Sequence, residues 1–92
     1  MTSSKFTTRC GESELNGLGY RLLQAKKVKE AIEIFKLNVE AYPHSANSYD
    51  SLAESYMVNG DNELAIQNYK KSLELDPQNL NAVEMLKKLN AK

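Results

Sequence analysis

Apolar residues recur along this chain at intervals of three and four, which is the period of a helix with one buried stripe. Leu15, Leu18, Gly19 and Leu22 make the first stripe, and Val28, Ala31, Ile32, Phe35 and Val39 the second. Tyr49, Leu52, Ala53 and Tyr56 make a third, and Ala65, Ile66, Tyr69 and Leu73 a fourth. Val83 and Leu86 begin a fifth. Helix-breaking and capping residues fall between the stripes. Pro43 lies just past the second, Gly60-Asp61 supplies a left-handed C′ and an N-cap after the third, and Asp76-Pro77 stops the fourth. Asn79 is placed to cap the last helix. The pattern predicts five helices, near 13–24, 28–42, 46–59, 62–75 and 80–90. Lys26-Lys27 stands where the later turn has Gly60-Asp61, so the first turn is less well specified.

Shifting the sequence by 34 positions brings it into register with itself. Leu18 meets Leu52, Ala31 meets Ala65, Ile32 meets Ile66, Phe35 meets Tyr69, Glu40 meets Glu74 and Pro43 meets Pro77. Val83 and Leu86 continue the register by matching Tyr49 and Leu52. The chain therefore divides into a tail (1–11), a first repeat (12–45), a second repeat (46–79) and a closing half-repeat (80–92). Small residues take equivalent places in each helix pair at Gly19, Ala31, Ala53 and Ala65, with Leu22, Phe35, Tyr56 and Tyr69 filling the space beside them. That alternation of small and large is what two closely packed antiparallel helices require.

The 34-residue period, Leu-Gly or Leu-Ala in the first helix, Ala followed four residues on by an aromatic in the second, and Pro before the next unit together resemble the tetratricopeptide repeat. The resemblance covers residues 12–92. It implies an all-α fold of helix-turn-helix repeats, two full repeats plus a closing helix, coiled as a right-handed α-solenoid. The departures are Leu15 and Leu22, where aromatics are commoner, and Asn38 and Ser72, where alanine is usual. The strings LNGLGYRLL, EAIEIFKLNVEAYP, NSYDSLAESYM and GDNELAIQNYKKSLELDP are also similar to the repeat tails at the C-terminus of some bacterial beta-lactamase-like serine hydrolases. The first resemblance implies a non-catalytic protein-binding adaptor. The second implies a structural or docking tail, or a piece of one, able to mediate dimerisation.

Composition narrows the class of partner. Twelve basic residues balance twelve acidic ones, which weighs against nucleic acid, since its binders gather a basic excess on one face. The balance is uneven along the chain: 46–79 carries two basic and six acidic residues, while 1–11 and 80–92 are each net basic. Segments of opposite sign can steer a partner or a second copy. Cys10 is the one cysteine and His44 the one histidine, which leaves no metal-ligand cluster and no pairing of nucleophile with base. Gly17 and Gly19 open no phosphate loop, because no lysine or hydroxyl residue follows at the needed offsets. No cofactor, no metal and no catalytic residue is expected. Nothing reads as a signal peptide or a membrane span, so the default location is cytoplasmic, unless the chain is a fragment of an exported protein.

The resemblance also implies where a partner sits. In a stack of helix pairs, the first helix of each pair lines the concave side. With Leu15, Leu18 and Leu22 turned inward, Asn16, Tyr20 and Leu23 face that groove. Their neighbours further along are Asn47, Asp50, Glu54 and Met57, and then Asn81, Glu84 and Lys88 in the closing helix. Asp50 and Glu54 stand four apart on one helical face with no basic residue between Asn47 and Gly60. The expected partner is a protein or peptide with Lys or Arg beside apolar anchors; the acidic tails of chaperones need basic residues that this groove lacks. Leu15 and Tyr20 have no preceding helix to cover them unless the tail folds back through Phe6, and two repeats fall short of the three usual for a stable stack, so self-association into a dimer is expected.

Overall fold

A computed structural model describes residues 11–90; Cys10, and Phe6 with the alternative of a folded-back tail, lie outside the described residues. Five helices follow one another: α1 (Glu12–Gln24), α2 (Val28–Ala41), α3 (Ala46–Val58), α4 (Asn62–Leu75) and α5 (Leu80–Asn90), with no strand among the described residues. The protein is an all-α helical repeat. Each helix pairs with the next, and α1 also reaches α3.

The turns obey the backbone rules read from the sequence, with one exchange. Gly60 takes the left-handed conformation after α3 (φ 90°), as a C′ glycine should. Lys26, its equivalent after α1, takes it too (φ 64°), although a side chain there is strained. Both turns close with the same bonds: Lys27 N–H to Leu22 O at 2.8 Å, and Asp61 N–H to Tyr56 O at 2.9 Å. Ser45 caps α3 by accepting from Ser48 N–H (3.3 Å), and Asn79 Oδ1 accepts from Ala82 N–H (3.3 Å) at the start of α5. Asp61 occupies the N-cap position of α4, but its carboxylate accepts from Asn59 Nδ2 (2.8 Å) rather than from the helix.

Two clusters form the core. Ala31, Ile32, Phe35 and Leu52 make the first, and Ala53, Ala65, Tyr69 and Ala82 the second. The predicted small positions are the points of closest approach. Ala31, Ala53 and Ala65 are fully enclosed, and a Cβ placed on Gly19 would lie 2.4 Å from the Phe35 ring. Leu18, expected to turn inward, is instead 38% exposed, whereas its equivalent Leu52 is 5% exposed. The reason is position: α3 has helices packed on both sides, while among the described residues nothing precedes α1.

The departures at Asn38 and Ser72 have a structural use. Asn38 Nδ2 donates to the carbonyl of Glu12 (3.3 Å), and Ser72 Oγ to the carbonyl of Ala46 (2.8 Å). Glu12 and Ala46 are equivalent first residues of α1 and α3. In both units a buried polar side chain of the second helix thus anchors the start of the first. Asn38 Oδ1 is left enclosed without a partner.

Candidate functional site

The first helices of the successive units, α1, α3 and α5, are tied together by side chains of the residues that sequence reasoning assigns to one face. Tyr20 of α1 packs its ring edge-on against Phe35, centroids 5.2 Å apart, and donates its hydroxyl proton to Glu54 Oε1 of α3 at 2.9 Å. The Tyr20 hydroxyl also lies 3.2 Å from Ser51 Oγ, and Ser51 in turn donates to Asn16 Oδ1 at 2.5 Å. Asp50 sits one turn before Glu54. It accepts from Asn81 Nδ2 of α5 on both oxygens (2.9 and 3.2 Å) and from Asn79 Nδ2 on Oδ2 (2.8 Å). Asn79 Nδ2 reaches Ser72 Oγ as well (2.8 Å), so one amide joins α3, α4 and the start of α5.

Five of the ten predicted residues therefore meet in two hydrogen-bonded groups, Asn16, Tyr20 and Glu54 in one and Asp50 and Asn81 in the other. Leu23 and Met57 are half-buried, Leu23 against the first core cluster and Met57 against the second. Asn47, Glu84 and Lys88 are exposed. The carboxylates of Asp50 and Glu54 are half-buried and held by neutral donors. No basic side chain fills that role: the two ion pairs among the described residues, Lys36–Glu33 and Lys71–Glu74, include neither of them.

Ser51 belongs to the first group and Asn79 to the second, and neither was assigned to the face. Asn79 was legible as a cap, but its reach to Asp50 spans 29 residues of sequence and two turns. Ser51 is 2% exposed, yet serine carries no hydrophobic signal and its partner Asn16 is 35 residues away.

Burial sets the acidity of two tyrosines, and the carboxylates of Asp50 and Glu54 add to it. Burial pushes the Tyr20 hydroxyl up to about 12; its contact with Ser51 opposes this, while the bond to Glu54 and the charges of Glu54 and Asp50 add to it. Tyr69, 1% exposed in α4, is also pushed upward, first by burial and then by the charges of Asp50 and Glu54. Both hydroxyls stay protonated at neutral pH and remain hydrogen-bond donors.

Residues 46–79, from the start of α3 through Asn79, match the family model of the tetratricopeptide repeat. Repeats of this family are generally non-catalytic and mediate protein–protein interaction. Among curated proteins, none matches this chain. No described helix is long and apolar enough to cross a membrane.

Proposed function

We propose that the chain is a protein-interaction module that takes an extended peptide or helix segment along the concave face of α1, α3 and α5, the segment carrying basic residues beside apolar anchors. The observation that carries this reading is the pair Asp50 and Glu54, four residues apart, held on one face by neutral donors with their charge uncompensated by any described ion pair. Partly exposed carboxylates of this kind govern association rate and selectivity more than affinity, while Tyr20, Leu23 and Met57 supply apolar area. Peptides selected by display should be enriched in Lys or Arg, bind less tightly as salt rises, and lose binding to Asp50→Asn with Glu54→Gln at unchanged helicity. Selection of acidic peptides, or binding indifferent to that double variant, defeats the reading.

A second reading, a docking or dimerising tail, draws on the far end of the molecule. Leu80 is 75% exposed, and Leu73, Val83, Leu86, Lys87 and Asn90 line an open cleft of ≈ 460 Å³ between α4 and α5. Exposed apolar surface of that kind favours contact between chains. Sedimentation at tens of micromolar is expected to show a dimer that Leu80→Glu with Leu86→Glu abolishes; a monomer throughout overturns this reading.

A further inference from the structure

Each end of the helix stack leaves open a face that the middle of the molecule closes. In α3 the face made by Ser48, Ser51, Leu52 and Ser55 is at most 5% exposed, covered by the preceding helices α1 and α2. The 34-residue register sets Glu14, Gly17, Leu18 and Arg21 of α1 in those places, and all four are exposed, since no described helix precedes α1. At the other end the comparison concerns the face of α3 that α4 covers. There Ala53 and Tyr56 pack with Ala65 and Tyr69, and the Lys71 ammonium stands 6.0 Å from the Tyr49 ring centre. The equivalents of Tyr49, Ala53 and Tyr56 in α5 are Val83, Lys87 and Asn90, which line the open cleft with no described helix over them. Leu80 continues that stripe one turn earlier.

We propose that the occupant of the cleft is α1 of a second copy of this chain, lying antiparallel to α5, so that copies stack head to tail. This rests on the second reading above and names the surface that the cleft receives. The two open stripes share one spacing in opposite directions: Glu14, Leu18 and Arg21 are four and three residues apart, and so are Lys87, Val83 and Leu80. Set antiparallel, Glu14 meets Lys87, Leu18 meets Val83, and the stem of Arg21 covers Leu80 with its guanidinium in reach of Glu84. The helix ends agree with this sense, because α1 carries Glu12 and Glu14 in its first turn and α5 carries Lys87 and Lys88 in its last. Set parallel, Arg21 would meet Lys87 and Leu18 would meet Glu84, so charge selects the antiparallel arrangement. None of Glu14, Arg21, Glu84 and Lys87 takes part in an ion pair among the described residues, which leaves all four available. The contact is heterologous: each copy that joins offers a fresh α1 face or a fresh cleft. The dimer at tens of micromolar is then the first member of a series that lengthens with concentration.

The test is complementation between full-length chains blocked at opposite ends, followed by sedimentation velocity from tens to hundreds of micromolar. The parent chain should pass from dimer to larger species as concentration rises. Leu18→Glu blocks the α1 face and Val83→Glu blocks the cleft, so each alone should be a monomer. Mixed, they keep one intact face each and should form a one-to-one pair and nothing larger. Charge reversal at the exposed Glu14 and Lys87 gives a second measurement that leaves the core untouched and decides the matter should Val83→Glu fail to fold. Glu14→Lys or Lys87→Glu alone should weaken association by roughly fivefold, the upper range for an exposed ion pair. A mixture of the two, or both changes in one chain, should restore it. A Leu18→Glu chain that dimerises as the parent does, or reversals that have no effect singly or do not rescue each other, overturns the stack and leaves the docking reading standing. A parent chain that stays monomeric throughout overturns both.

Discussion

Gly17 and Gly19 sit two residues apart in α1 and meet opposite surroundings. A Cβ on Gly17 would touch nothing within 4 Å, while one on Gly19 would fall 2.4–2.8 Å from three atoms of the Phe35 ring. Phe35 is fully enclosed and has Tyr20 against its ring, so it has little room to withdraw. Gly19→Ala should therefore destabilise the protein by about 1–3 kcal/mol, since overpacking outweighs the gain in helix propensity. Gly17→Ala should stabilise it by about 0.5–1 kcal/mol, because only the propensity changes. Thermal melting of the two variants checks both; equal shifts would mean that α1 and α2 are not in close contact at Gly19. Lys26 offers a third residue-scale expectation. Replacing a left-handed lysine with the glycine that the second unit uses at the same place should add about 0.5–1 kcal/mol, read as a raised midpoint for Lys26→Gly. The need for a small residue at Gly19 was legible from the 34-residue register. The strain at Lys26 was foreshadowed by the same comparison, because the two turns close with equivalent bonds on different residues.

The helices themselves are the most legible level. Each has a stripe of period three to four, α2, α3 and α4 stop at Pro43, Gly60 and Pro77, and such signals act within a single turn of backbone. Contacts between helices are legible only where they repeat. Ala31 and Ala65 announce themselves by register, but the buried serines of α3 do not. Ser48, Ser51 and Ser55 are at most 2% exposed, yet they align with Glu14, Gly17 and Arg21, so comparison between units gives no hint of burial. They are accommodated because their hydroxyls find acceptors. Ser48 donates to Ser45 O at 2.9 Å, Ser55 to Leu52 O at 2.7 Å, and Ser51 to Asn16. The register alone named half of the candidate residues that hydrogen bonds bring together; the bonds themselves it did not show, since each joins side chains 29 to 35 residues apart. Asn79 concentrates this effect, as it caps α5, reaches Asp50 and contacts Ser72. Asn79→Ala should cost about 1–2 kcal/mol, at or above the usual loss of an N-cap, and should loosen α5 first. Hydrogen exchange resolved by helix would show α5 amides losing protection ahead of α1 and α2. Uniform loss would place the cap's effect elsewhere.

At the scale of the whole molecule, the face that joins α1, α3 and α5 carries acidity that ties stability to alkaline pH. Below about pH 10 the Tyr20 hydroxyl is protonated in both the folded and the unfolded chain, so it contributes no slope. Folding raises its pKa to about 12 through burial and through Glu54 and Asp50. Between those values the unfolded chain releases the proton that the folded chain retains, and rising pH draws the equilibrium toward unfolding. The stabilisation is fully present below pH 10 and is lost as pH passes through about 12. Tyr69 shifts in the same direction and steepens the fall. A small protein that buries limited apolar surface has little reserve against such a loss. Helicity followed from pH 7 to 12.5, alongside the ultraviolet signal of phenolate formation, should show the last tyrosines ionising together with the loss of helix. In Tyr20→Phe the fall between pH 10 and 12 should be shallower, although the variant starts from lower stability because Glu54 has lost its donor. If all five tyrosines ionised in the ordinary range while the helices persisted, Tyr20 and Tyr69 would have to be open to solvent, and the bond from Tyr20 to Glu54 would not hold α1 to α3.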